Sequence, residues 1–305
     1  MLGPRKRIGP TGNFQQNLGL SVMKASRKLP NARFQIRGVS DEGGTAMRGF
    51  INRSVLFLIG IICVGSVAFT TLAQAETLVE SRLYFRTWVA FSVDQKAVQA
   101  WLPDPWKAVS LPKGPFKGAN LYVMFEDMFL KQDGEGKPAK GETYHAALLV
   151  AFAKHPQTGD FAVFIIRVYS PHGGPGPYKN TVKATVRREA TLKGADLEPG
   201  AGSEVWKVQD SAGGIMEFRM DYQRAVPKRV KKEFKVRSSV EPDFFRIYRD
   251  DRTVDVLKSI PAGIDRVQNY KFRVTMSELR KMFDGSEKLV GILVNPIQVR
   301  QVFLP

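Results

Sequence analysis

The sequence contains one cysteine, Cys63, and three histidines, His145, His155 and His172. A single cysteine cannot form a disulfide within the chain or supply the paired thiolates of a zinc site. The histidines are not two or four residues apart, the spacing that brings two imidazoles to one face of a strand or helix. The Gly-x-Ser-x-Gly turn of α/β-hydrolases is also missing. The sequence therefore predicts neither a metal site nor a cofactor.

Acidic residues are scarce, since 29 Asp and Glu stand against 46 Lys and Arg, a net charge of +17 over 305 residues. Residues 1–46 contribute eight Lys or Arg but only Asp41 and Glu42, and they show no apolar periodicity. Their composition predicts a disordered basic extension. The alternative is that translation starts at Met47 and that residues 1–46 are a misassigned start.

Residues 47–75 have the composition of a secretory signal peptide. A basic start, Met47–Arg53, is followed by the uncharged run Val55–Phe69 and by Ala73-Gln74-Ala75. The apolar run of about 15 residues is shorter than the roughly 20 that a membrane-spanning helix needs. The sequence therefore predicts cleavage after Ala75 and a periplasmic or secreted protein, with an uncleaved N-terminal membrane anchor as the alternative. Cys63 leaves with the leader, which excludes thiol chemistry in the mature chain.

Residues 76–305 are predicted to form a single domain with 36 Lys and Arg against 27 Asp and Glu, a net charge of +9. The positive charge is concentrated in Arg224–Arg237. Aromatic residues are not interleaved there as base-stacking platforms would require, so we expect no nucleic acid partner. A solvated strand face or loop is the first interpretation, and attraction to an anionic envelope surface is the second.

Strand signals dominate the mature chain. Aromatic and β-branched runs predict strands over 83–91, 120–130, 144–153, 161–169, 181–189, 204–209, 215–222, 234–240, 244–249, 267–275 and 288–303, the last broken near Pro296. Short helices are expected at 94–102, which ends at Pro103, and at 277–283, with Ser277 as the cap. About ten strands without long βαβ spacing predict a mainly β fold, an antiparallel β-barrel or cone with two short helices.

A carboxylate pair, Glu126-Asp127, interrupts an otherwise apolar strand. Because side chains alternate along a strand, one of the two must point inward unless the strand lies at a wetted edge. A buried carboxyl without a partner has a raised pKa, which suits acid–base chemistry. The wetted edge strand is the competing interpretation.

A glycine- and proline-rich loop, Gly173–Pro177, leads into Tyr178, Lys179 and Asn180. It would deliver Lys179 to the start of a strand. Burial in an apolar cavity would disfavour the ammonium form and make the amine a nucleophile. The simpler interpretation is a solvated loop lysine.

Three stretches together resemble the acetoacetate decarboxylase family. They are Arg82-Leu83-Tyr84-Phe85, the helix over 94–102 that ends in Pro103-Asp104-Pro105-Trp106, and the closing segment Ile292–Ile297. The likeness extends over nearly all of residues 80–305. It implies the β-barrel fold of that family and a reaction in which a lysine forms a Schiff base with a keto acid.

The resemblance implies site residues as well. Lys179 takes the position of the Schiff-base lysine, although Asn180 replaces the family's second lysine and the order of Tyr178 and Pro177 is reversed. Arg82 would hold the substrate carboxylate. Glu142 and Glu126 would tune proton transfer.

Two functions follow from the sequence. The first is an exported acetoacetate decarboxylase-like protein, a Schiff-base lyase acting on a small keto acid or carbonyl compound. The alternative is a non-catalytic envelope β-barrel that binds a small apolar or anionic ligand. The burial of Lys179 distinguishes them, because only a buried amine supports catalysis. A homo-oligomer is left open.

Overall fold

The structure, a computed structural model, describes residues 75–139, 143–195 and 198–305. The predicted signal peptide and basic extension lie outside these residues, apart from Ala75. The described strands are β1 Thr77–Ser92, β2 Lys107–Ala108, β3 Leu121–Asp133, β4 Tyr144–Lys154, β5 Phe161–Ser170, β6 Thr181–Lys193, β7 Ala201–Asp210, β8 Ile215–Gln223, β9 Lys228–Ser238, β10 Phe245–Ser259, β11 Ile264–Asp265, β12 Val267–Val274 and β13 Lys288–Leu304. No helix within the described residues has the length and apolar character that a membrane crossing requires.

Within the part of the chain that the structure describes, two short helices accompany the strands. Helix α1, Gln95–Gln99, is capped by the carboxylate of Asp94, which accepts a hydrogen bond from the backbone N–H of Lys96 at 3.0 Å. A 3₁₀ helix covers Ser277–Leu279, and its N-cap is Met276 rather than the predicted Ser277. Both helices are shorter than expected from the sequence, but their existence and the mainly β class are confirmed.

The thirteen strands form one mixed sheet with two parts. Neighbouring strands in the first part, here called the ring, run β4–β5–β9–β10–β13–β1–β3 and return to β4. The second part, here called the wing, consists of β6, β7, β8 and β12 and leaves the ring at β5.

The expected mainly β class with a barrel or cone of strands is confirmed, but β5 makes the sheet mixed rather than purely antiparallel. This strand pairs in parallel with both β6 and β9, and each pairing joins only three residue pairs. The sheet is therefore mixed and does not close as a regular antiparallel barrel. Strand β13 is not broken near Pro296 but continues through it. A bulge between Asn295 and Gln298 shifts the register against β1, so the ladder needs no N–H from the proline.

Two apolar clusters hold this arrangement together. One lies between the wing and the outer face of the ring, where Phe125 of β3 stacks on Trp206 of β7 and Phe218 of β8 at centroid distances of 5.3 and 5.4 Å. The other lies inside the ring and includes Tyr122, Leu148 and Phe152. Because alternate residues of a ring strand serve opposite faces, the same strands build both clusters.

Buried polar contacts also join the wing to the ring. The hydroxyl of Thr87 and the indole N–H of Trp206 donate to Glu204 Oε2 at 2.7 and 2.9 Å. Arg188 of β6 donates to Asp127 Oδ2 at 2.7 Å. Burial raises the pKa of Glu204, and the nearby Arg188 and its hydrogen-bond donors oppose this shift. These contacts fix how the wing covers the ring.

Candidate functional site

The ring encloses a cavity of about 550 Å³. This volume lies within the range of about 300–1,000 Å³ that is typical of small-molecule sites. The two halves of the ring give the cavity two different walls. This asymmetry determines what chemistry it can recognise.

The apolar wall comes from strands β4, β5 and β9. Its members are the inward residues Ala146, Leu148, Val150, Phe152, Val163, Ile165, Val168, Phe234 and Val236. Most of them are buried, and they contribute no charge. A ligand lying here would gain stability through contact with hydrocarbon.

The arginine wall comes from strands β1, β10 and β13. It consists of five side chains, Arg82, Arg86, Arg246, Arg252 and Arg300. The two arginines of β1 and the two of β10 are each an even number of residues apart. Side chains at such spacing lie on the same face of a pleated strand where no bulge shifts the register. Lys131 of β3 lines the same cavity.

Arg300 is paired with Asp250. Its Nε and Nη2 donate to the two oxygens of Asp250 at 2.6 and 2.8 Å, and Gln298 donates to Asp250 Oδ2 at 2.7 Å. Burial by itself would raise the pKa of Asp250, but Arg300, together with Arg86 and Arg252, outweighs burial and the pKa is lowered. Asp250 is therefore a charged carboxylate in the interior.

Arg82 and Arg246 share Glu80. Arg82 Nε donates to Glu80 Oε2 at 2.7 Å, and Arg246 Nη1 donates to Oε1 at 3.1 Å. Burial opposes ionisation of Glu80, yet the two guanidinium groups and Lys131 lower its pKa to about 2. These two arginines already have an anionic partner, although the Nε of Arg246 makes no hydrogen bond.

Arg86 and Arg252 each have two buried guanidinium nitrogens without a hydrogen-bond partner, whereas Arg246 has one, its Nε. Arg86 is 1 % exposed and bonds Glu126 through Nη2, but its Nε and Nη1 have no hydrogen-bond partner. The Nε and Nη1 of Arg252 are likewise buried without a partner. So are the indole N–H of Trp88 and the hydroxyl of Tyr84. Buried polar groups in native proteins normally have partners, so this cluster of free donors indicates an acceptor that a ligand would supply.

The charges around the cavity also indicate an anionic ligand. Burial lowers the pKa of Arg86 to about 10; Tyr84 opposes that shift, while Arg300 adds to it. Burial also lowers the pKa of Arg252. Among the described residues, the cavity and its buried ion pairs bring together eight cationic side chains, Arg82, Arg86, Lys113, Lys131, Lys232, Arg246, Arg252 and Arg300, and three carboxylates, Glu80, Glu126 and Asp250. The excess of positive charge favours an anionic ligand.

Arg82 and Glu126, two of the four residues singled out from the sequence, line this cavity. Glu126 is 3 % exposed and pairs with Arg86, while Asp127 is 9 % exposed and pairs with Arg188 and His145 on the opposite face. The interpretation that both carboxylates are wetted is therefore wrong. Glu142 lies outside the described residues.

Lys179 is exposed and is not among the residues that line the cavity. Its neighbour Tyr178 points inward instead, and the hydroxyl of Tyr178 bonds that of Tyr248. Asn180, in place of the family's second lysine, is buried and donates to the carbonyl of Ile165 at 2.6 Å. Lys179 has a left-handed backbone, φ 58°, between these two anchored side chains. The desolvation that would activate its amine is therefore missing.

The basic segment Arg224–Arg237 is not a uniform positive surface. Arg229 and Lys231 pair with Asp251, and Glu233 pairs with Arg249. Lys232 lines the cavity instead. The charges of the segment are thus divided between ion pairs on the outer face and the edge of the cavity.

Four residues of the arginine wall, Arg86, Arg246, Arg252 and Arg300, were not singled out from the sequence. In strands β1 and β10 the spacing of residues could have indicated them. Arg86 follows Tyr84 and precedes Trp88 at even spacing, and Arg246, Asp250 and Arg252 share one parity in β10. Strand alternation would have placed each set on one face.

Comparisons with known proteins give matches of structure only. No family model matches the chain, and a search of curated proteins finds no match. The enduracididine biosynthesis enzyme MppR complexed with pyruvate has 8% sequence identity, covers 77% of this chain and 92% of its own, and has a TM-score of 0.47. The same enzyme with a condensation product of pyruvate and imidazole 4-carboxaldehyde has 9% identity, 76% and 90% coverage and a TM-score of 0.48.

An acetoacetate decarboxylase-like enzyme from Sphingomonas wittichii RW1 has 12% identity, covers 78% of this chain and 96% of its own, and has a TM-score of 0.45. It carries the family name that the sequence motifs resemble. At TM-scores below 0.5, none of these likenesses carries an argument about activity, ligand or residue roles in this chain.

Proposed function

We propose that the β-rich domain binds a small organic acid, with the anionic group against the arginine wall and the apolar body against the opposite wall. One observation carries this proposal: the buried Nε and Nη1 groups of Arg86 and Arg252 have no hydrogen-bond partner. A buried donor without a partner costs about 1–3 kcal/mol, and more when it is charged. A carboxylate bound between them would recover that energy through charge-assisted hydrogen bonds.

The apolar wall supports the second half of the proposal. Leu148, Phe152 and Ile165 offer hydrocarbon contact on the side of the ring opposite β1 and β13. An inorganic anion would satisfy the arginines but leave this surface uncovered. An organic acid with a hydrocarbon body uses both walls.

Schiff-base chemistry on a keto acid is the competing proposal, and it rests on the family resemblance. The exposed Lys179 argues against it, because its amine lacks the apolar surroundings that activate a Schiff-base lysine. Binding without covalent chemistry is therefore the function that the geometry supports best. The proposal includes export directed by residues 47–75, so the domain would bind its ligand outside the cytoplasm.

Octanoate and octanamide provide the test, because they have the same chain and differ in charge. In calorimetric titrations of the full-length chain, we expect octanoate to bind at least about tenfold more tightly. This corresponds to about 1.4 kcal/mol, which one charge-assisted hydrogen bond can supply.

Two results would contradict the proposal. Equal affinity for acid and amide would show that the arginine wall does not select an anion. A borohydride-stable adduct of a β-keto acid on Lys179, absent from Lys179→Ala, would favour the Schiff-base function instead.

A further inference from the structure

The unpaired donors lie beside a cluster of aromatic rings inside the ring of strands. Along β1 the inward side chains change from the paired Glu80 and Arg82 to the incompletely paired Arg86 and then to Trp88. Arg252 Cζ lies 5.0 Å from the centroid of the Trp88 ring. One end of the cavity therefore combines free guanidinium N–H groups with an aromatic surface.

Trp88 begins a chain of edge-to-face contacts. Its ring lies 5.6 Å from that of Tyr122 at 62°, and Tyr122 contacts Phe152 at 4.7 Å and 82° and Phe116 at 5.6 Å and 78°. Edge-to-face packing is the arrangement that aromatic quadrupoles prefer. These four residues are here called the aromatic box.

The position of Phe116 in the aromatic box depends on Gly291. A Cβ at Gly291 would lie 2.6 Å from Phe116 Cε1. Phe116 itself is buried although it belongs to the loop before β3. The missing side chain at position 291 thus gives the ring the space that it occupies.

Burial raises the pKa of Tyr122, and Arg252 opposes that shift. The guanidinium of Arg252 is therefore close enough to act electrostatically on the phenol as well as on Trp88. Arg86 and Trp88 are two residues apart on the same face of β1, a step of about 7 Å along a strand. An acid whose ring is separated from its carboxyl group by two or three bonds spans that distance.

We infer that the ligand is an aromatic carboxylic acid, with its carboxylate between Arg86 and Arg252 and its ring in the aromatic box. This inference rests on the proposed function and narrows it to one class of acid. A ring in the box would add edge-to-face contacts to those of Tyr122 and Trp88. An aliphatic chain would gain only area burial there.

Two acids with nine carbons, 3-phenylpropanoate and 3-cyclohexylpropanoate, test the inference in the full-length chain. Their carboxylates are the same, and the cyclohexyl ring is the more hydrophobic, so simple burial favours the cyclohexyl acid. We expect the opposite order by calorimetry, with the phenyl acid bound about three- to tenfold more tightly. The comparison uses the unmodified protein and does not depend on the folding of a variant.

Two variants localise the effect. Tyr122→Leu is expected to abolish the preference for the phenyl acid, whereas Tyr270→Leu, which alters a tyrosine outside the cavity lining, should preserve it. Circular dichroism verifies folding, and Phe116→Leu replaces Tyr122→Leu if the latter does not fold.

The outcomes separate this inference from the proposed function. If the cyclohexyl acid binds as tightly as the phenyl acid or more tightly, the aromatic inference is overturned while acid binding stands. If neither of these acids nor octanoate binds, both are overturned. A phenyl preference that survives Tyr122→Leu also overturns the placement of the ring.

Discussion

Replacing Asp250 by asparagine should destabilise the fold by about 3–5 kcal/mol, the usual cost of removing one partner of a buried ion pair. Asp250 accepts two hydrogen bonds from Arg300 and one from Gln298, and its side chain is fully buried. Asparagine keeps the shape but removes the charge. Arg300 would then remain in the interior without its counter-charge, and Arg252 would lose a carboxylate at 3.7 Å. Urea unfolding followed by tryptophan fluorescence measures the change.

Asp251 provides the matched control for this prediction. It is the next residue of β10, but it lies on the outer face, where Arg229 and Lys231 pair with it at the surface. Exposed pairs of this kind contribute little to stability because water and salt screen them. Asp251→Asn should therefore unfold close to the wild-type midpoint. If the two variants unfold at the same urea concentration, the buried network does not have the role assigned to it.

Replacing Arg252 by glutamine should weaken octanoate binding about thirtyfold or more. Truncating one partner of a buried, hydrogen-bonded charge pair typically costs 2 kcal/mol or more, and 1.4 kcal/mol is a factor of ten. Arg252 offers the cavity Nε and Nη1 groups that make no hydrogen bond, whereas glutamine retains one neutral amide. Calorimetric titration measures the loss.

Stability provides a second readout for Arg252→Gln. The wild-type guanidinium is buried with unmet hydrogen bonds, so its removal should leave the unfolding midpoint unchanged or higher. Arg249→Gln is the control, because Arg249 lies three residues earlier on β10 with 42% of its side chain exposed and pairs with Glu233 outside the cavity. Equal losses of affinity in the two variants would mean that overall charge, not the arginine wall, attracts the acid.

The strands of this fold could be predicted where their own residues favour a pleated surface. The aromatic and β-branched run 83–91 lies within β1, and 161–169 lies within β5. Strand β10 was expected to end at 249, yet it continues to Ser259. Residues 250–259 look too polar for an interior strand, but Asp250 and Asp255 are buried because Arg300 and Arg266 pair with them. Those partners lie elsewhere in the sequence and cannot be identified from local pattern.

The site was only partly predictable for a similar reason. Glu126 could be found because a carboxylate in an apolar strand is conspicuous, and the alternation of β3 places it in the cavity. Lys179 follows a loop, where no period determines which side chain turns inward, and Tyr178 occupies the interior instead. Arg252 belongs to the charged run Arg249-Asp250-Asp251-Arg252, which resembles an exposed segment until the ring of strands is known.

The most direct test of acid binding at the arginine wall is a crystal structure of the chain with 8-bromooctanoate, in which anomalous scattering locates the bromine. The carboxylate should lie within about 2.7–2.9 Å of free guanidinium nitrogens of Arg86 or Arg252, with the bromine in the apolar part of the cavity. A carboxylate directed into solvent, with the bromine beside the arginines, would contradict the proposed function.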